Sequence, residues 1–160
     1  MAVLVFQRGD ELYADYVLGA SSVATTKVPP ATWYVALATR LVSNYSKTAS
    51  VWSATDTGTN VAEIGSSTAA NYARQAINHD QSGAGWAQST SDSTGANTNG
   101  VQVVFPTFSG APNPNGADSW HVTDGTTLNA GNLYFGGDTS AERNYGAGDV
   151  EKVTPSLKAN

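Results

Sequence analysis

The chain contains no cysteine. Disulfides, zinc thiolates and thiol nucleophiles are therefore excluded, and the redox compartment leaves no mark on the sequence. Charge is scarce too: Asp, Glu, Lys and Arg make up 13% of the residues, about half the usual share. No Lys or Arg lies between Arg74 and Arg143, and the net charge is −5. The cationic footprint that nucleic-acid phosphates and anionic membranes require is missing, so neither is expected as a partner. Long apolar runs are also missing. The opening MAVLVF has no positive n-region and is too short for a signal peptide or a bilayer span. Histidine is reduced to His79 and His121, neither with a nearby Cys or a helical His partner, so no metal site is predicted. GAGDV lacks the Lys and the following helix of a phosphate loop, and DTGTN and GGDTS lack the spacing of an EF-hand. No cofactor is expected; a surface calcium between loops stays open.

What fills the space is Gly, Ala, Ser, Thr and Asn, a composition suited to short strands joined by polar turns. At 160 residues the chain fits one domain. Residues 1–30 read as an arm and residues 31–160 as a β-domain. In the arm, AVLVF (2–6) has the apolar character of a strand. Asp10 is placed to cap a short helix, ELYADYVL, which Gly19 ends, with Leu12, Tyr13, Tyr16 and Val17 on one face. Pro29 and Pro30 then lead into extended chain.

From residue 31 the period is two. TWYVALAT places Trp33, Val35 and Leu37 on one face and Tyr34, Ala36 and Ala38 on the other, the mark of a strand covered on both sides. YARQAI (72–77) predicts a strand with Ala73 and Ile77 opposite Arg74. VQVVF (101–105) predicts one with Val101, Val103 and Phe105 together, ended by Pro106. SAERNYGAGDV reads as a loop before a last strand near Val150–Leu157. Residues 80–100 read as a long polar loop whose only large apolar residue is Trp86. The fold class expected is mainly β: a β-sandwich or jelly roll of about eight strands, with an N-terminal arm that contains a short helix.

SWHVTDGTTLNAGNLYFGG (119–137) holds Ser119, His121 and Asp124 within six positions. In a strand Ser119 and His121 point the same way, with Cβ atoms about 6–7 Å apart, while Trp120 and Val122 face the other side. TDGTT and NAGN have turn chemistry, which puts Asp124 in a bend instead of behind the imidazole. A triad needs base and nucleophile within hydrogen-bond reach and a third group to orient the base. The stretch therefore reads as a hairpin, and no catalytic residue is predicted.

DTG at Asp56–Gly58 matches the aspartic-protease signature, in which paired carboxylates share a proton. The preceding KTASVWSAT offers only Val51 and Trp52 as large apolar residues, so an ordinary turn is the preferred reading. RGD at Arg8–Asp10 spells an adhesion tripeptide, but its expected role is to begin the helix. A sequon stands at Asn44–Ser46.

Taken in order, ELYADYVLG, TWYVALATR, AEIGSSTAANYARQAI, VVFPTFSG, SWHVTDG with AGNLYFGGD, and YGAGDV resemble a family of small structural proteins of tailed-phage virions. Its members are labelled tail-fibre-like or capsid-decoration proteins. The shared elements are YVAL, E-x-G followed by Y-A-R-Q, and GNL-x-F-G, spread over about residues 11–157. The resemblance implies a β-sandwich without catalytic residues, attached to a virion. The function expected is a capsid decoration (cement) protein on the outside of a phage head. Its partners would be the major capsid protein and copies of itself, with a trimer favoured. The arm is too apolar to stay solvated. Either it packs on its own domain, or Val3, Leu4, Val5 and Phe6, with Leu12, Tyr13 and Tyr16, dock on a neighbour by adding a strand to its sheet. The rival readings are a tail-associated receptor- or carbohydrate-binding module using Trp52, Trp86 and Tyr145 as exposed platforms, and a hydrolase or protease built on Asp56 or His121.

Overall fold

Among the described residues twelve strands follow one another in the order β1 (Val3–Val5), β2 (Thr32–Ala38), β3 (Trp52–Ser53), β4 (Val61–Ala62), β5 (Gln75–Asn78), β6 (Thr90–Asp92), β7 (Gly95–Asn99), β8 (Val103–Val104), β9 (Ala117–Thr123), β10 (Leu133–Arg143), β11 (Lys152–Val153) and β12 (Ser156–Ala159). The structure is a computed structural model that describes residues 3–6, 9–10, 32–46, 48–49, 52–53, 60–65, 70–78, 85–86, 90–92, 95–112 and 115–159. The protein is mainly β. Among the described residues, a 3-10 turn at Val42–Asn44 and the helical pair Gly9 and Asp10 interrupt the strands.

The main sheet has the order β1-β10-β9-β2-β5, antiparallel throughout. Its centre is β9, which pairs Val122 with Val35 on one side and with Phe135 on the other. β2 becomes a central strand for the reason its sequence suggests. Trp33, Val35 and Leu37 enter one apolar cluster and Ala36 and Ala38 enter the other. On the first face lie Trp120, Val122 and Phe135, joined by Val103, Phe105, Phe108 and Val153 from the antiparallel β8–β11 ribbon and its flank. On the second face Phe6, Val42, Tyr45, Trp52, Val61 and Leu133 pack together. Burying each large apolar side chain stabilises the fold by about 1.5–3 kcal/mol. β3 and β4 form a short parallel pair, and β12-β7-β6 a three-stranded sheet.

The arm's apolar start forms strand β1, which pairs with β10 of the same chain through Val3–Gly137, Leu4–Gly136 and Val5–Phe135. Phe6 follows it fully buried, with its N–H donating to the Tyr134 carbonyl at 2.9 Å. The Phe6 carbonyl then accepts from the N–H groups of Gly9 and Asp10. Leu12, Tyr13 and Tyr16, and with them the helix expected after Asp10, lie outside the described residues. So do Arg8, Asp56 and His79.

Four expectations need correction. The span 80–100 is not loop alone: β6 and β7 pair with each other, and β7 with β12. These strands are built of Thr, Ser, Asp, Asn, Gly and one Ala, so no apolar alternation announces them; main-chain pairing makes them. In YARQAI the strand begins only at Gln75, and Tyr72 and Arg74 turn inward while Ala73 is exposed. β10 runs on to Arg143, into the SAERNYGAGDV segment (140–150) where a loop was expected, past an irregularity between Asp138 and Arg143. The last strand is split into β11 and β12, with Pro155 between them, because proline cannot donate to a ladder.

Candidate functional site

β9 carries Ser119, His121 and Thr123 on one face, and all three are fully buried. The strand's period of two puts them there, under the second apolar cluster. The His121 ring lies among Phe6, Tyr45 and Trp52, with centroids 5.5, 5.6 and 5.5 Å away. Its Nε2 is 2.8 Å from Ser119 Oγ, so serine and imidazole do meet, closer than their Cβ spacing suggested. The direction of that bond decides what it can do. Ser119 Oγ also lies 2.7 Å from the Arg40 carbonyl, to which it donates its one proton. It must therefore accept from Nε2–H, the reverse of the arrangement by which a base activates a hydroxyl. Nδ1 is left as an acceptor without a hydrogen-bond partner among the described residues. Desolvation lowers the His121 pKa to about 3, so the ring is neutral at physiological pH.

Asp124 is turned to another task. Its Oδ1 accepts from the Asn132 N–H at 2.6 Å, and its Oδ2 from the Asn132 amide at 2.6 Å and the Tyr134 hydroxyl at 3.0 Å. These bonds close the mouth of one continuous loop, 124–132, where sequence suggested two turns around a short strand. Thr123 Oγ1 donates to the Asn132 carbonyl at 2.7 Å and accepts from the Trp52 indole at 3.0 Å.

The same loop is gripped from its far side by a buried ion pair that the reading of the sequence missed. Glu63 is fully buried, and Arg74 is 6% exposed. Arg74 Nε donates to Glu63 Oε1 at 2.9 Å, and a terminal nitrogen donates to Oε2 at 2.8 Å, a bidentate pairing. The other terminal nitrogen donates to the carbonyls of Gly125 and Ala130 at 2.8 and 3.0 Å. The Asn129 N–H donates to Glu63 Oε2 at 3.0 Å from a left-handed backbone (φ +53°), which Asn tolerates better than most residues. Tyr72 completes the group: its hydroxyl donates to Glu63 Oε1 at 2.8 Å and accepts from the Leu37 N–H at 2.9 Å. Burial, reinforced by the Glu63 charge, pushes the Tyr72 phenol well above its usual range, so it keeps its proton. Arg74 also lies 5.0 Å over the Trp52 ring. One signal could have found this group. In a chain so poor in charge, Glu63 and Arg74 stand in apolar surroundings on either side of one loop.

The residues of E-x-G…Y-A-R-Q thus converge. Gly65 (φ +68°) leaves only 3.0 Å between a hypothetical Cβ and the Tyr72 side chain, so the turn needs glycine. Three aromatic residues offered as exposed platforms are placed otherwise. Trp52 and Tyr145 are buried, Tyr145 stacked on Phe108 at 4.3 Å, and half-buried Trp86 packs on Phe135 at 5.5 Å. Among the described residues no group of three His, Cys, Asp or Glu could hold a metal ion. No helix among them is long and apolar enough to cross a membrane. Comparison with known proteins gives no match, either to a family model or to a curated sequence.

Proposed function

We propose that this chain is a non-enzymatic virion structural protein, a decoration (cement) protein on the outer surface of a tailed-phage head. Its partners in this reading are the major capsid protein and further copies of itself, grouped as trimers. The five-stranded sheet and the strands over its Trp120 face are read as two layers of a jelly-roll-like sandwich. Residues 1–30 are read as an arm whose strand leads into a short helix.

The observation that carries this reading is the fate of the groups suited to chemistry. Ser119, His121, Asp124, Glu63 and Arg74 all direct their hydrogen bonds to holding strands and one loop together. A scaffold tied in this way works through its outer surface. The serial resemblance to phage virion proteins supports the same conclusion. So does an acidic, charge-poor chain, which suits the outside of a head better than its DNA-facing side. Contacts of about 800 Å² per partner suffice for a specific interface, and repetition over a shell adds avidity. The tail-associated receptor- or carbohydrate-binding reading loses its motivation at Trp52 and Tyr145, which are buried. Locating the chain in a three-dimensional image of the intact particle tests the proposal. Hundreds of copies on the head surface are expected; a few copies confined to the tail, or none in purified particles, overturn it.

A further inference from the structure

The ties of β9 to distant chain begin just before the strand, at Asn115. The partners of its side-chain amide fix which way that amide points. Oδ1 accepts from the Tyr145 N–H at 3.0 Å and from the N–H of the next residue, Gly116, at 2.9 Å. Nδ2 donates to the Tyr145 carbonyl at 3.0 Å. Asn115 thus latches the entry of β9 to the chain beyond β10, where Tyr145 stacks on Phe108. The same contacts hold a backbone nitrogen beside a side-chain amide, which is the setting from which an Asn-Gly pair cyclises.

We propose that Asn115 is a site of spontaneous covalent modification, where deamidation through a cyclic imide releases the latch to Tyr145. The Gly116 nitrogen bonds to the Asn115 side-chain carbonyl carbon, and its proton passes to Oδ1, toward which it already points. The bond from that carbon to Nδ2 then breaks. Nδ2 takes the proton back from the oxygen and leaves as ammonia, so a succinimide ring remains. Water is the one co-reactant: it opens either carbonyl of the ring, adding hydroxyl to carbon and hydrogen to nitrogen, and leaves aspartate or isoaspartate. Oδ1 gathers charge as the ring closes, and the Tyr145 N–H stays 3.0 Å from it as a fixed donor. Gly116 presents no Cβ to shield its nitrogen, and half-buried Asn115 is open to water.

Two comparable pairs are set differently. In Asn99–Gly100 the Gly100 N–H donates to the Pro155 carbonyl at 2.7 Å, so that nitrogen is held where β7 meets β12. In Asp124–Gly125 the carboxylate already accepts from Asn132 and Tyr134, and an ionised carboxyl resists attack. Conversion at Asn115 has a structural consequence. Nδ2 is the latch's donor to the Tyr145 carbonyl. A carboxylate has no proton to give and sets a negative oxygen against that carbonyl.

The test ages the purified full chain, folded and in urea, at pH 7.4 and pH 9, and maps its peptides by mass with enzymatic labelling of isoaspartate. In the folded chain Asn115 should convert about tenfold or more faster than Asn99. The rate should rise with pH, because the attacking nitrogen gives up its proton. In urea, where the fold no longer sets the geometry, the two rates should converge. Asn115→Gln, whose longer side chain disfavours the ring, should remain unmodified at that position. Asn115→Asp imitates the hydrolysed side chain and should shift the urea unfolding midpoint downward. Three results overturn the proposal: an Asn115 that converts no faster than Asn99 in the folded chain, a rate ratio that persists in urea, or an Asn115→Asp variant as stable as the wild type. The proposed role in the virion is read from copy number and stands or falls separately.

Discussion

Gly136 sits opposite His121 in the β10–β9 ladder, and no side chain has room there. A Cβ would come within 2.6 Å of both His121 Nδ1 and the Trp120 carbonyl. The bare glycine leaves the imidazole room to stand among Phe6, Tyr45 and Trp52, edge-on to the last two. Gly136→Ala should therefore lower stability by about 1–3 kcal/mol through overpacking. Gly110→Ala, with nothing within 4 Å, should stay within about 0.5 kcal/mol. Urea unfolding midpoints of the two variants check the contrast. At this scale the direction of His121 and Ser119 was legible, because alternation along a strand sets it. The serine's proton was not, because the Arg40 carbonyl that receives it lies 79 residues away in the chain.

Loop 124–132 shows how an element without regular hydrogen bonds is held in one shape. Asp124 closes it from inside, and Glu63 with Arg74 holds it from the β4 side through Gly125, Asn129 and Ala130. Removing one partner of a buried pair leaves an uncompensated charge. Arg74→Met should thus cost about 3–5 kcal/mol in chemical denaturation. Adding Glu63→Gln to that variant should recover part of the loss, since the stranded charge is then gone. If the double variant is as unstable as the two single losses added, the pair does not act as a unit. The loop was readable as turn-forming sequence, but not its fastening, since Glu63 and Arg74 precede it by some fifty residues or more.

The whole molecule should weaken in mild acid, and His121 is the reason. Its folded pKa of about 3 lies below its ordinary value of 6.5. Between those values the unfolded chain binds a proton that the folded one refuses, so stability falls as pH drops below about 6.5, by up to about 1.4 kcal/mol per unit. The ring meets Phe6, Tyr45, Trp52 and the Ser119 hydroxyl, and no carboxylate bonds to it among the described residues to offset the charge. Denaturation midpoints of the wild-type chain should decline between pH 6.5 and 4, and His121→Gln should flatten that slope. In the wild type, the His121 ring proton resonances should stay untitrated through the same range; titration near pH 6 would refute the argument.

Composition and periodicity alone determined the mainly-β class, the two-sided burial of β2, the hairpin of β9 and β10 and the inward face of Val103 and Phe105. Each of these rests on local steric alternation and turn chemistry, which neighbouring residues carry between them. Only the tertiary structure decided that Thr90–Asp92 and Gly95–Asn99 are strands, that Glu63, Tyr72 and Arg74 meet, and that the Ser119 hydroxyl gives its proton to the Arg40 carbonyl. Those outcomes depend on which distant segments come together, and burial then fixes the energy of each polar group by the partners it finds.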